Sequence, residues 1–219
     1  MRKTTLKTRT FTLLDLFKFK SLRTNTAYLS ALFFFVSMLY IGPSSAIDQF
    51  SLDIFILQAI LSVSECLAYP IACIFIAKAK RKTIGVKCFL FCALFNLLAL
   101  LVSTDPSCVY CFGSIAKITL LFFSRFCVAY YYGALFIYVV EIYPEQIRTI
   151  GFGTASGVGA LGALAMQKVI QIAEENNQDP LVTFTLFACL CMYFTIKLPE
   201  TLILYTPIIP RIIKNTVVK

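Results

Sequence analysis

Six apolar runs constrain this chain more than any other feature of its sequence. They cover residues 28–46, 53–77, 84–102, 114–140, 150–172 and 181–197. A helix needs about 20 apolar residues to cross a hydrocarbon core of about 30 Å, and backbone groups in lipid must be hydrogen-bonded within the protein. Apolar residues make up 59% of the chain and charged residues 14%, whereas soluble domains average about 45–50% and about 25%. The sequence therefore predicts an all-α membrane protein with six transmembrane helices.

Positive charge is distributed unevenly between alternate loops. Lys and Arg concentrate before the first run, between the second and third, and after the sixth, while the other loops carry mainly Asp and Glu. Cytosolic loops of membrane proteins carry such an excess of Lys and Arg. The pattern predicts a basic cytosolic segment over 1–27, a transmembrane bundle over 28–198 and a cytosolic tail over 199–219. We expect a multi-pass protein of the plasma membrane, and the distribution argues against a nucleic-acid partner.

The segment EIYPEQIRTIG, residues 141–151, forms a short polar turn between the fourth and fifth runs. Glu141 and Arg148 stand towards its two ends, each beside a run long enough to cross the bilayer. Opposite charges in such a turn can hold two membrane helices together on one side of the membrane. The charge pattern predicts that this side is cytosolic.

Polar residues inside the runs indicate where a solute could bind. Intramembrane polar groups are costly and usually face the protein interior or water. They recur at helical spacing on the first, second and fourth runs, which we expect to line a cavity, whereas the third and sixth look lipid-facing. The candidate solute-binding residues are Phe33, Ser37, Tyr40, Gln58, Glu65, Tyr69, Arg125 and Tyr132. Two alternatives remain open: the serines bond to their own backbone, or Glu65 and Arg125 form a buried structural salt bridge.

Other residue types bound the function further. The fifth run contains five glycines, which permit close helix approach or bending, and packing is the favoured interpretation. Cys108 and Cys111 lie in one predicted external loop, where a disulfide is possible and a zinc site is not favoured. The chain has no His, and neither a nucleophile–base pair nor a phosphate-cradling loop is recognisable. We therefore expect a protein that is not an enzyme and needs no cofactor.

Four stretches resemble the C-terminal six-helix half of a major facilitator superfamily transporter, in particular the organic cation/anion/carnitine family. They are LLDLFKFKSLRTNTAYLS (13–30), MLYIG (38–42), EIYPEQIRTIG (141–151) and LPET (198–201). The first resembles the approach to the seventh helix, the second its Tyr-x-Gly, the third the turn after the tenth helix and the fourth the exit from the twelfth. The resemblance implies transport of a small organic ion or amphipathic solute by alternating access. It also implies a cytosolic gate formed by Arg81, Glu141 and Arg148.

Several positions depart from that family. The loop between the eighth and ninth helices is reduced to Lys80-Arg81-Lys82 and lacks the acid of the family pattern. Ala160 stands where cation transporters carry Asp and anion transporters carry Arg, and Ala68 where cation transporters carry a carboxylate. Glu65, about one turn earlier, could serve on the same face. The resemblance therefore leaves the sign of the solute's charge open.

The length is the largest departure, because the family works with twelve helices in two halves around a midplane site. The expectation is a fragment of a longer transporter; a half that pairs with another chain or with a second copy, and a degraded gene product, are the alternatives. A sugar porter-like half is the nearest rival within transport. A non-transporting membrane scaffold that binds partners is the rival from another class.

Overall fold

A computed structural model describes most of the chain. The described residues are 20–45, 53–76, 80–102, 112–176 and 178–200. They form six helices: α1 Lys20–Ser45, α2 Ile54–Ile76, α3 Arg81–Leu101, α4 Phe112–Ile142, α5 Arg148–Glu175 and α6 Pro180–Lys197. Each helix is long and apolar enough to cross a membrane. The predicted fold class, an all-α membrane protein with six transmembrane helices, is confirmed.

Five of the six helices are longer than the apolar runs that predicted them. α1 begins at Lys20 rather than at residue 28, and α4 contains 31 residues. At 1.5 Å per residue α4 measures about 46 Å, which exceeds a hydrocarbon core of about 30 Å. α4 ends just before the Tyr143–Pro144 pair, because a residue that precedes proline is disfavoured in the helical conformation. α6 begins at Pro180, where the side chain of Asp179 accepts a hydrogen bond from the Leu181 amide at 3.2 Å.

The helices pack with α1 near the centre of the bundle. α1 runs along α5 and also contacts α6 and α4, while α4 lies between α2 and α3, and α3 packs against α6. The chain alternates direction, so that one end of the bundle holds the starts of α1, α3 and α5 and the ends of α4 and α6. We call this the Glu141 end and the opposite one the Asp179 end.

Glycine allows α1 and α5 to approach closely. A Cβ atom added at Gly162 would overlap the backbone carbonyl of Phe34, and one at Gly159 would lie 2.9 Å from Ser37 Oγ. Only a residue without a side chain fits at such a crossing. Gly153 and Gly157 lie on the outer face of α5, where an added Cβ would meet no described atom within 4 Å. The glycines of α5 thus serve two different faces.

The outer surfaces of α3 and α6 are mostly apolar. On α3 the exposed residues include Phe91 and Leu98, whereas its polar residue Asn96 is 2% exposed and faces the interior. There Ser124 Oγ of α4 donates a hydrogen bond to Asn96 Oδ1 at 2.9 Å. An apolar exterior with a satisfied polar interior is the arrangement expected of helices that face lipid.

Candidate functional site

An ion pair between α2 and α4 lies inside the bundle. Arg125 Nε donates to Glu65 Oε1 at 2.8 Å, and Arg125 Nη2 donates to the same oxygen. The Arg125 side chain is 4% exposed and the Glu65 side chain 20%. Arg125 stands 16 residues before Glu141 in α4, or roughly 24 Å along the axis. Because α2 packs along α4, two charges that are 60 residues apart in sequence neutralise each other within the membrane-spanning region.

Tyr40 of α1 completes the contact of three helices at this pair. Its hydroxyl donates to Glu65 Oε2 at 2.7 Å, and Arg125 Cζ lies 3.9 Å from the centroid of its ring. The Tyr40 ring also stacks with the Tyr132 ring, with centroids 5.2 Å apart and planes inclined by 22°. We call Tyr40, Glu65, Arg125 and Tyr132 the charge–aromatic cluster. Each of its members was among the residues that the sequence predicted to bind a solute.

The remaining predicted binding residues occupy different environments. Tyr69 is 36% exposed, and a Cβ atom added at Gly133 of α4 would lie 3.1 Å from its ring. Gln58 is exposed on the same helix, farther from the cluster. Phe33 is fully buried and meets the Tyr132 ring edge-on at 6.3 Å, and Ser37 is buried against α5. In this conformation Phe33 and Ser37 therefore pack inside the bundle instead of lining an open surface, and their role in binding stays a prediction.

A tightly packed interior pocket lies beside Arg125. It is lined by α1, α3, α4 and α6, including Leu39, Asn96 and Ser124. The third nitrogen of the guanidinium, Nη1, is buried and has no hydrogen-bond partner among the described residues. The Asn96–Ser124 hydrogen bond beside it was not foreseen. The available signal was Asn96, a polar residue near the middle of the third run.

A second ion pair lies at the Glu141 end. Arg81 Nη2 donates to Glu141 Oε1 at 2.8 Å and Arg81 Nε to Oε2 at 3.3 Å, with side-chain exposures of 7% and 15%. This two-point geometry ties the start of α3 to the end of α4. Arg148 begins α5, and its Nε is buried without a hydrogen-bond partner among the described residues. The structure thus pairs Glu141 with Arg81, and the contact expected between Glu141 and Arg148 stays a prediction.

Tyrosines fix the chain around that pair. The Tyr143 hydroxyl donates to Thr26 Oγ1 of α1 at 2.9 Å, and its ring fills the space beside Gly151, where an added Cβ would lie 2.6 Å away. Burial raises the pKa of the Tyr143 hydroxyl above its ordinary value. Tyr138 donates to the backbone carbonyl of Pro199, beyond the end of α6. The sequence identified this turn by its charges, whereas its aromatic residues hold α1, α4, α5 and α6 together.

The Asp179 end carries a looser pair. Lys117 Nζ of α4 lies 3.9 Å from Asp179 Oδ2, with side-chain exposures of 14% and 39%. Such partly exposed pairs contribute about 0–1 kcal/mol. Cys108 and Cys111, the predicted loop disulfide, lie outside the described residues.

Residues 23–211 match the family described as "Sugar (and other) transporter". Relatives include solute carrier family 22 member 6 of Danio rerio, which is 26% identical over 88% of this chain and 33% of its own length. Organic anion transporter 3 of Homo sapiens is 26% identical over 88% of this chain and 34% of its own length. The chain thus spans about a third of the length of the curated relatives it matches.

Proposed function

Because the chain belongs to the sugar (and other) transporter family of the major facilitator superfamily, we propose that it forms one six-helix half of a transporter for small organic ions. Its similarity to solute carrier family 22 proteins, one of them named as an organic anion transporter, supports an organic ion as the solute. In this proposal a solute binds between two halves, which expose the site to each side of the membrane in turn.

The charge–aromatic cluster carries the proposal. A charged side chain inside a bilayer costs about 2.5–3.5 kcal/mol or more, so that intramembrane charges mark functional sites by default. Glu65 and Arg125 neutralise each other, yet Glu65 remains partly exposed one helical turn from the exposed Tyr69. It also accepts a hydrogen bond from Tyr40, whose ring stacks on Tyr132. A charged group and aromatic faces on one accessible surface suit a solute with an ionic head and an apolar body. A purely structural salt bridge gives no reason for the exposed tyrosine next to it.

The proposed partner is a second six-helix half, from the same or another chain. Gly153 and Gly157 offer a close-approach surface on the outer face of α5 that no described residue fills. α2 likewise presents large exposed residues, Phe55 and Phe75 among them. A second half would cover both faces and enclose the cluster between the halves, away from bulk lipid.

The Glu141 end is the proposed cytosolic gate, with both termini of the chain on the cytosolic side of the plasma membrane. The Arg81–Glu141 pair holds the ends of α3 and α4 together within this half. Arg148 Nε and Glu200 Oε1 are buried without partners among the described residues. A gate that closes by contact between halves would supply partners for both atoms, since buried polar atoms are rarely left unpaired.

Uptake into liposomes tests the proposal. The purified chain is reconstituted, and the uptake of radiolabelled tetraethylammonium, para-aminohippurate and glucose is followed in parallel. Saturable uptake of an organic ion is expected, and Glu65→Gln should abolish it. Glu175→Gln, the same change at an exposed carboxylate at the end of α5, is the matched control. Uptake of glucose alone would favour a sugar porter. The absence of flux for all three solutes, from the chain alone and with a candidate partner half, would refute transport in favour of a scaffold.

A further inference from the structure

The structure also indicates which sign of charge the site accepts. We infer that the chain selects cationic solutes, with Glu65 as the charge that meets the solute and Arg125 as a fixed internal counter-ion. The inference rests on the proposed function, because it names the solute class of the same site. It does not follow from the relatives, one of which is named for organic anions.

Accessibility separates the two members of the pair. The side chain of Arg125 is 4% exposed, whereas that of Glu65 is 20% exposed. Tyr69, one helical turn beyond Glu65, is 36% exposed and extends the same accessible face of α2. A solute that approaches this face meets a carboxylate and an aromatic ring before it can reach the guanidinium.

The donors of Arg125 are already committed or enclosed. Nε and Nη2 donate to Glu65, and the Tyr40 ring covers one face of the guanidinium at 3.9 Å. Nη1 is buried, and Arg125 lines the interior pocket together with Asn96 and Ser124. An anion could therefore bind Arg125 only after it had displaced Glu65 or Tyr40, and the displaced carboxylate would remain in an apolar environment without its counter-ion.

Glu65 retains capacity for a further donor. A carboxylate offers about four acceptor positions. Oε1 accepts from two nitrogens of Arg125, whereas Oε2 accepts one hydrogen bond, from Tyr40. An ammonium group could share Oε2 without breaking the existing pair. A quaternary ammonium, which has no N–H, could instead lie against the faces of Tyr69 and Tyr132 by cation–π attraction.

Ala160 of α5 is exposed and carries neither an acid nor a base. Arg125 and Glu65 sum to zero, so that net charge gives no preference between a cation and an anion. The accessibility of the Glu65 carboxylate therefore decides the sign of the solute's charge.

Ligand-dependent thermal stability of the purified chain in detergent tests the inference without requiring transport. A ligand that binds the folded state raises the melting temperature in proportion to the logarithm of its concentration above Kd. Tetraethylammonium is expected to raise the melting temperature of the wild type, whereas para-aminohippurate is not. Glu65→Gln should weaken tetraethylammonium binding at least about tenfold, since a charged partner is lost, and Glu175→Gln should leave it unchanged.

Arg125→Met gives the sharpest discrimination. If Arg125 is only the counter-ion, its removal frees Oε1 and tetraethylammonium binding is retained or tightened. If Arg125 instead meets the solute, para-aminohippurate raises the melting temperature of the wild type and Arg125→Met abolishes that rise, and this result overturns the inference. Should Arg125→Met elute as aggregate, Glu65→Gln/Arg125→Met, which leaves no unpaired charge, decides the matter. The double variant is expected to bind neither ion, and binding of tetraethylammonium by it overturns the inference.

The two proposals fail separately. Uptake of para-aminohippurate by a protein that does not bind tetraethylammonium would overturn cation selectivity and leave transport standing. Binding of tetraethylammonium without flux in liposomes would overturn transport and leave the assignment of Glu65 intact. Binding of para-aminohippurate that is lost in Arg125→Met would reverse the proposed roles of the two charges.

Discussion

Substitution of two glycines on opposite faces of α5 tests the packing of the bundle directly. In Gly162→Ala the new methyl group would overlap the backbone carbonyl of Phe34, whereas in Gly157→Ala it would meet no described atom within 4 Å. The obstacle at Gly162 is backbone, which cannot rotate away as a side chain can. α1 and α5 must therefore separate to accept the methyl group.

The expected difference follows from two terms. Ala is favoured over Gly inside a helix by about 1 kcal/mol, and this term applies to both variants because both positions lie inside the same helix. Overpacking costs about 1–3 kcal/mol and applies only to Gly162→Ala. The helix term cancels in the comparison, so that Gly162→Ala should be less stable than Gly157→Ala by about 1–3 kcal/mol. At about 2–4 °C per kcal/mol for a chain of this size, the difference in melting temperature is measurable.

The assay is thermal stability in detergent, followed by size-exclusion chromatography of heated samples, because the chain has no Trp to report unfolding. Equal melting temperatures for the two variants would refute the close contact between α1 and α5. Gly157→Ala serves a second purpose in the uptake assay. Normal stability combined with lost uptake would indicate that the outer face of α5 packs against a second half.

Two further predictions concern the ends of the bundle. In a double-mutant cycle on thermal stability, Arg81→Met and Glu141→Gln should couple by about 1.5–3 kcal/mol, as expected of charge-assisted hydrogen bonds. The looser Lys117–Asp179 pair should couple by about 0.2–1 kcal/mol, and equal coupling in both pairs would contradict the assignment. Tyr143→Phe should lower stability by about 0.5–1.5 kcal/mol through loss of its hydrogen bond to α1. Tyr193→Phe, at the exposed tyrosine of α6, is the control. An equal loss of stability in Tyr193→Phe would contradict this role of Tyr143.

Local patterns predicted the elements of this protein well. Six runs of suitable length and hydropathy gave six helices, since the requirement for internally bonded backbone acts on each segment separately. The bounds differed where helices continue beyond the apolar runs, as in α1, because charged residues outside the hydrocarbon do not stop a helix. The residues of the charge–aromatic cluster were also identified in advance, because each is a costly polar or aromatic group in an apolar run.

Single apolar runs could not reveal which residues and helices contact each other. The resemblance grouped Arg81 with Glu141 and Arg148, but only the structure shows that Arg81, 60 residues away in sequence, donates two hydrogen bonds to Glu141. Five glycines in one run predicted close packing, but only the structure shows that Gly162 meets α1 and that Gly157 faces outwards. Such outcomes depend on how helices are rotated and paired, which the composition of each helix does not determine.

The sequence by itself predicted six helices long and apolar enough to cross a membrane, with Glu65 and Arg125 inside two of them. Hydropathy and helix length fix those facts locally, one segment at a time. Only the tertiary structure decided that Arg125 is buried under the Tyr40 ring and against the bundle interior, while Glu65 stays partly exposed. That asymmetry arises because α4 is surrounded by α1, α2 and α3, whereas α2 packs mainly against α4 alone. Burial in a helical bundle depends on the number of neighbours that each helix acquires.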